Sequence, residues 1–323
     1  MRFIVTGGAG FVGSHIVDFL LQTYPNAEVV ILDKITYAAS KNNLARALKQ
    51  FSDRCRLVVL DLADYHSVRE TLERGDIVIH AAAESHVDNS FKSSLIFSET
   101  NCLGTHNLLQ ASLEACVDSF LHISTDEVYG ENTTDRPFTE MQMLNPTNPY
   151  SASKAAAEMM VTAYQKFCNF KSFVIRSNNI FGPRQYPEKL IPRSIMRLKK
   201  GLPIELHGNG ENRRSYLHVE DFCKAVDSVL KNGLDGHIYN VGSQFEKSNL
   251  EVASVLVDRM GGRFDKSIIF VDDRPFNDHR YWVSSEKVES LGWKQQRSFD
   301  EEIDKLVEWY IAVDMGYWPF HCG

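Results

Sequence analysis

Tyr150 and Lys154 stand four residues apart in the stretch Asn148-Pro149-Tyr150-Ser151-Ala152-Ser153-Lys154, which opens a helical pattern running to about Phe167. On a helix that spacing puts both side chains on one face. An ammonium group near a phenol favours the phenolate, so the pair has the chemistry of a general base for a hydroxyl proton. Upstream, Ser124-Thr125-Asp126-Glu127 sets two hydroxyls and two adjacent acids at the end of an apolar run. Adjacent acids are ordinarily a solvated loop. At the cleft end of a strand, however, one carboxyl can serve as base while the other, kept neutral, serves as acid.

A third constellation, Thr6-Gly7-Gly8-Ala9-Gly10-Phe11-Val12-Gly13, follows the first apolar run and leads into a helical pattern. Glycines at this spacing allow a tight turn and let a pyrophosphate approach the backbone at a helix N-terminus, so a dinucleotide is expected here. Asp33 ends the second apolar run, twenty positions after Gly13, where a carboxylate accepts from an adenosine ribose and repels a 2′-phosphate. NAD is therefore expected over NADP, with the neighbouring Lys34 arguing the other way. Asp61 and Leu62 would flank the adenine, and Ala81, Ala82 and Ala83 would leave room for the middle of the cofactor.

Stepping along the chain, the elements that position these groups are short apolar runs at Phe3–Thr6, Val29–Asp33, Leu57–Asp61, Ile77–Ala81, Phe120–Thr125 and Ser172–Arg176. Amphipathic stretches at Phe11–Leu21, Ser67–Leu72 and Leu95–Cys116 separate them. Alternation of this kind predicts an α/β fold with a doubly wound parallel sheet of the Rossmann type, binding ligands at the C-terminal ends of its strands. Beyond about residue 180 the rhythm breaks into Pro- and Gly-punctuated segments, read as a smaller mixed lobe for substrate. The expected division is 1–180 for the dinucleotide-binding domain and 181–323 for the second lobe, with Val219–Leu230 and Tyr239–Val241 returning to the first.

The 323 residues carry a formal net charge of -7, with 43% hydrophobic and 24% charged residues. No global basic field exists to attract nucleic acid or an anionic membrane, so phosphates on a ligand must meet local cations. The six cysteines show no CxxC pair and no zinc spacing, and no metal site is expected. His80, His86 and His122 read as packing or strand-end residues. Free thiols, a reducing cytoplasm and no membrane partner are the expectation, with Cys322 a reactive thiol if exposed.

Taken together, these motifs resemble the extended short-chain dehydrogenase/reductase superfamily. The acid pair in Ser124-Thr125-Asp126-Glu127-Val128-Tyr129-Gly130, together with Ala83–Ser90 and Pro187–Pro192, resembles its nucleotide-sugar 4,6-dehydratases, and the resemblance covers nearly the whole chain. It implies a bound NAD whose site also includes Thr36, Thr100, Tyr150 and Lys154. It further implies that Tyr150 takes the proton of the sugar 4-hydroxyl, held by Thr125, as hydride leaves C4. The 4-ketone then acidifies C5, Glu127 removes the C5 proton, Asp126 protonates the departing 6-hydroxyl, and hydride returns at C6. The product is a 4-keto-6-deoxy sugar nucleotide.

The same resemblance assigns substrate contacts to Ser85, Thr125, Asn179, Lys189, His207, Arg214, Asn249, Arg274 and Tyr281, with His207 against the base, whereas Arg213 and Arg280 read as surface charges. The runs His86–Phe91, Asn212–Tyr216 and 274–278 look more like eukaryotic UDP-rhamnose synthases than the bacterial dTDP-glucose enzymes. UDP-glucose is thus the first choice and dTDP-glucose the second; one methyl on the base is worth only ~1–3 kcal/mol. The helices Leu95–Cys116 and Tyr150–Phe167 carry more apolar residues than one buried face requires, and the family pairs them into a homodimer. An epimerase or decarboxylase of the same fold, or a non-catalytic NAD-binding protein, remains as the alternative.

Overall fold

The computed structural model describes residues 1–273 and 277–318. Twelve strands form among these residues: β1 (Arg2–Thr6), β2 (Glu28–Asp33), β3 (Cys55–Val59), β4 (Ile77–His80), β5 (Ser119–Thr125), β6 (Ser172–Ser177), β7 (Asn179–Phe181), β8 (Ile204–His207), β9 (Arg213–His218), β10 (Ile238–Val241), β11 (Glu246–Ser248) and β12 (Ile268–Val271). Seven of them make one sheet in the order β10-β6-β5-β4-β1-β2-β3. Every pairing within it is parallel. Chain order reverses between β1 and β4, which opens a crevice at the strand tips.

Parallel sheets bury both faces, and the strands read accordingly. In β1, Phe3 and Val5 join a core with Ile16, Val17 and Leu20 of the helix Phe11–Thr23 and with Phe222 and Val226 of the helix Val219–Asn232. Ile4, between them, faces the opposite core with Leu108 of the helix Gly104–Ala115 and Val161 of the helix Pro149–Cys168. The late strand β10 pairs with β6, and the helix Val219–Asn232 lies on the large sheet although both follow residue 180 in sequence.

The smaller sheets are β11-β9-β7 and β12-β8. They surround a separate core in which Phe181, Ile195, Leu206, Tyr216, Leu256 and Phe299 meet. The end of the described chain closes this lobe onto the first one. Trp318 is buried against Tyr186 and Tyr310, while Ser40 Oγ and Asn42 Nδ2 both donate to the Tyr317 carbonyl at 2.6 and 2.7 Å.

Two departures from the sequence expectation bear on the site, one after β3 and one in the stretch after Leu95. The third strand ends at Val59, so Asp61 lies in the turn beyond it, where its Oδ1 accepts from the Ala63 amide at 3.0 Å. The stretch expected as one helix from Leu95 to Cys116 contains a π-turn at Ser98–Leu103. An inserted residue of this kind rotates the side chains before it relative to those after it. Cys116 then ends the helix in the left-handed conformation, with φ of 55°.

Candidate active site

The loop after β1 and the loop after β4 meet so closely that side chains have no place between them. Gly7 sits at φ +67°, and a Cβ there would lie 2.7 Å from the Ala82 backbone; a Cβ on Gly13 would lie 2.2 Å from the Gly7 carbonyl oxygen. Such contacts leave backbone N–H groups of the turn open to a ligand at the head of the helix Phe11–Thr23. The second loop is pinned from beneath, since Thr6 Oγ1 accepts from the Ala82 amide at 3.2 Å and bonds His80 Nδ1 at 2.7 Å. His80 Nε2 bonds Thr105 Oγ1 at 2.8 Å, so this histidine is a buried strut.

At the tip of β2 the Asp33 carboxylate accepts from the amides of Ala9 at 2.8 Å and Ile35 at 2.7 Å. Burial pushes its pKa up, and those two amides oppose the rise. Ile35, a β-branched residue, is held at φ 56°; strain of this kind persists where a binding loop is over-determined by its surroundings. Lys34 does not approach Asp33 but pairs with Asp61 at 2.5 Å.

Next along the cleft comes the helix Pro149–Cys168, whose start is fixed locally. Asn148 caps it by accepting from the Ser151 amide at 2.9 Å, Ser151 Oγ reciprocates, and Pro149 takes the first turn. That start presents Tyr150 to the tip of β5, in the same cleft as Thr125. Burial and then the nearby Glu127 push the phenol well above its ordinary pKa. Lys154 Nζ donates to the Ile123 carbonyl at 2.7 Å, and burial lowers its pKa to about 8. The lysine therefore supports the tyrosine from beneath through β5, and the phenol is protonated in the free protein.

Thr125 caps the short 3-10 turn Asp126–Tyr129 by accepting from the Glu127 amide at 3.3 Å. Asp126 is 2% exposed, and burial followed by the adjacent Glu127 raises its pKa to about 7, against the pull of a 2.5 Å hydrogen bond from Asn178 Nδ2. Glu127 is also raised by burial, while Lys189, Arg214 and a 3.3 Å bond from Asn148 Nδ2 draw it back down. The two neighbouring carboxyls thus have different surroundings. One is poised near neutrality, and the other faces cations.

Gly7, Gly10, Gly13, Asp33, Lys34, Asp61, Ala82, Thr125, Asp126, Glu127, Tyr150 and Lys154 line one cleft of about 430 Å³, and so do Phe11, Val12, Thr36, Leu62, Ala81, Ala83, Thr100, Ser85, Asn179, His207 and Asn249. Arg274 and Cys322 lie outside the described residues. Arg214 lines the cleft with its guanidinium 4.5 Å over the Tyr281 ring and its N–H groups on the carbonyls of Arg213, Asp278 and His279. Tyr281 donates to Asp278 at 2.5 Å, and Lys189 donates to the Ser85 carbonyl at 2.6 Å. Arg213 and Arg280 instead share Glu246 at 2.9 and 2.6 Å. Sequence reasoning missed Asn148, Asn178, Glu84, Glu188 and Asp278. Asn148 was detectable as a helix cap, whereas the others carry no local signal.

A profile of the family described as GDP-mannose 4,6 dehydratase matches residues 4–306. Among solved structures, the chain is similar to the dTDP-glucose 4,6-dehydratase of Streptomyces venezuelae crystallised with NAD, at 39% identity and a TM-score of 0.94, covering 98% of this chain and 99% of that one. It is 38% identical to the dTDP-D-glucose 4,6-dehydratase of Dictyostelium discoideum over 98% of this chain and 83% of the relative. It is also 41% identical to a trifunctional UDP-glucose 4,6-dehydratase of Arabidopsis thaliana over 96% of this chain, and it spans 47% of that longer protein.

Proposed function

Since the chain belongs to the GDP-mannose 4,6 dehydratase family, among the nucleotide-sugar 4,6-dehydratases of the extended short-chain dehydrogenase/reductase superfamily, we propose that it uses NAD to convert a nucleoside-diphosphate glucose to its 4-keto-6-deoxy derivative. The observation that carries this reading is the Asp126–Glu127 pair at the tip of β5, in the cleft shared with Tyr150, where one acid titrates near pH 7 and the other faces Lys189 and Arg214. Oxidation alone needs only Tyr150, Lys154 and Thr125. Loss of water needs a base and a neutral acid besides.

The crevice suits a dinucleotide because the Gly7 and Gly13 positions exclude any Cβ. Asp33 suits a ribose diol, and Lys34, paired to Asp61, is drawn away from a 2′-phosphate. NAD, when bound, supplies a two-electron acceptor for C4, a donor for C6, and a positive charge in the crevice. Around it, Thr125 orients the sugar 4-hydroxyl, and Tyr150, as the phenolate that the positive charge of a bound NAD and of Lys154 would favour, takes its proton. Glu127 takes the C5 proton, and Asp126, neutral below about pH 7, gives its proton to the 6-hydroxyl as the C6–O bond breaks.

UDP-glucose is the proposed substrate and dTDP-glucose the second reading, favoured by the likeness to the Streptomyces enzyme. Asn179, Lys189, Arg214, Asn249 and Tyr281 are proposed to hold the nucleoside diphosphate, with His207 against the base. Exposed apolar side chains on the helices around the π-turn and on Pro149–Cys168, namely Leu95, Ile96, Leu103 and Met159, support a homodimer through these helices. Incubating purified protein with each sugar nucleotide and weighing the product tests the function. Loss of one water without net NADH is expected. A C4 epimer with its 6-hydroxyl intact would overturn the reading in favour of an epimerase.

A further inference from the structure

Beneath the cleft lies a charged pair that the chemistry above leaves unused. Glu158 follows Lys154 by one helical turn, and both side chains are buried on the same face of the helix Pro149–Cys168. Two successive residues of β5 receive them. Lys154 Nζ donates to the Ile123 carbonyl at 2.7 Å, while Ser124 Oγ donates to Glu158 Oε1. The next residue of the strand is Thr125. The same carboxylate is gripped by Arg176 of β6, whose Nε reaches Oε1 and Oε2 at 3.1 and 3.0 Å and whose Nη2 reaches Oε2 at 2.5 Å. Arg176 Nη1 then donates to the Tyr129 hydroxyl at 2.7 Å, at the end of the turn that carries Asp126 and Glu127.

A buried ion pair is a poor source of stability, because desolvation offsets most of the Coulombic gain. Its position suggests another purpose. The other titratable groups that face Lys154 are neutral at pH 7. The ring of His80 on β4 is held down to about 3 by burial, and His122 on β5 is held well below its ordinary value for the same reason. Burial also raises the thiol of Cys102, on the π-turn, and the phenol of Tyr150. Among the described residues that leaves Glu158, ion-paired to Arg176 at 2.5 Å, as the acidic side chain one turn away from the ammonium.

We propose that Glu158, locked by Arg176, is a positioning residue for the oxidation step: it keeps Lys154 cationic in a dry site and ties the end of β5, and with it Thr125, to the helix that bears Tyr150. The proposal rests on the reading of Tyr150 and Lys154 as the base of the first half-reaction. Burial, opposed chiefly by Glu158, sets the lysine near 8, so removing that carboxylate moves its titration to lower pH.

The test uses full-length protein with its cofactor and the variant Glu158→Gln. Two quantities are followed across pH: the rate of enzyme-bound NADH formation in a single turnover, and the Nζ resonance of Lys154 in ¹⁵N-lysine-labelled protein, identified by its loss in Lys154→Met. Expected is a downward shift of about one pH unit or more in both, with a rate at pH 6 within about threefold of wild type. The doubly neutral variant Glu158→Gln with Arg176→Gln leaves no stranded guanidinium; it should shift in the same direction, and it serves if the single variant fails to fold. Glu158→Asp, which keeps the charge, should restore the original titration. An unmoved titration with rates lowered equally at every pH would overturn the proposal, as would a shift in the single variant that vanishes in the double. The resonance needs no substrate, so it decides the matter even if no dehydrated sugar forms.

Discussion

From Thr6 to Gly13, eight consecutive residues supply the turn and helix start proposed to hold the cofactor's pyrophosphate, using backbone alone. The pocket facing it is assembled from Asn179 on β7, Lys189 ahead of a helix, His207 on β8, Arg214 on β9, Asn249 at a helix start and Tyr281 in a loop. The first region works by absence of side chains, and the second by side chains brought together by the fold. A backbone site tolerates no added atom, whereas a side-chain site loses affinity in portions. Between them lies the tip of β5, where local sequence supplies the acids and distant residues set their proton affinities.

The largest effects are expected at that junction. Glu127→Gln and Asp126→Asn should lower turnover by about 10²–10⁴-fold, as loss of a general acid or base does, while still allowing the first oxidation. Enzyme-bound NADH should become visible in a single turnover. Tyr150→Phe should lose as much rate and show no such signal. NADH accumulation in Tyr150→Phe, or its absence in both acid variants, would reverse the assigned order of steps.

The cofactor region should respond sharply and unevenly to a single methyl. In Gly13→Ala the Cβ would sit 2.2 Å from a backbone oxygen that cannot swing away, whereas in Gly10→Ala the nearest atom is 3.2 Å off. Overpacking costs about 1–3 kcal/mol, so Gly13→Ala should lose bound NAD and melt earlier, with the cofactor-free Gly10→Ala melting closer to wild type. Equal melting temperatures of the two cofactor-free variants would remove the backbone argument.

In the facing pocket the response should be graded. Arg214→Met deletes a guanidinium stacked on Tyr281 and held by backbone carbonyls. A charge-assisted hydrogen bond is worth about 1.5–3 kcal/mol, so KM for the sugar nucleotide should rise about 10–100-fold with a smaller change in kcat. A fall in kcat at constant KM would place Arg214 with the acids, whose proton affinities it also lowers.

What could be read in the sequence follows the same division. The glycine turn, the carboxylate ending β2, the Tyr150–Lys154 spacing and the acids after β5 are local patterns, and the structure brings all of them to one cleft. Contacts between distant residues are invisible to periodicity. Asn178 reaches Asp126 across 52 positions of chain, and Thr147 reaches Asp278 across 131. Spacing also puts the ammonium on the helix face of the phenol, but it does not say what that ammonium bonds. The actual acceptor of Lys154 is a main-chain carbonyl, a group that every residue carries and no motif can encode.

The smallest expected effect is a gain in stability, and it sharpens the contrast between chemistry and folding at Asp126. Its carboxyl has a folded pKa raised from 3.8 to about 7, first by burial and then by Glu127. A folded pKa above the unfolded one means that the contribution to stability is complete below pH 3.8 and is lost as pH rises through about 7. Asp126→Asn is neutral throughout and can still accept from Asn178 Nδ2, so it escapes that loss. The melting temperature of the variant relative to wild type should therefore climb between pH 4 and pH 7 and stay level above, by about 2 °C for each kcal/mol at this chain length. The same substitution that removes turnover should thus leave the protein more heat-resistant at pH 8 and no more so at pH 4, as expected where function is kept at the expense of stability. A melting difference independent of pH would mean that Asp126 does not titrate in this range, and the neutral acid of the proposed elimination would have to be sought elsewhere.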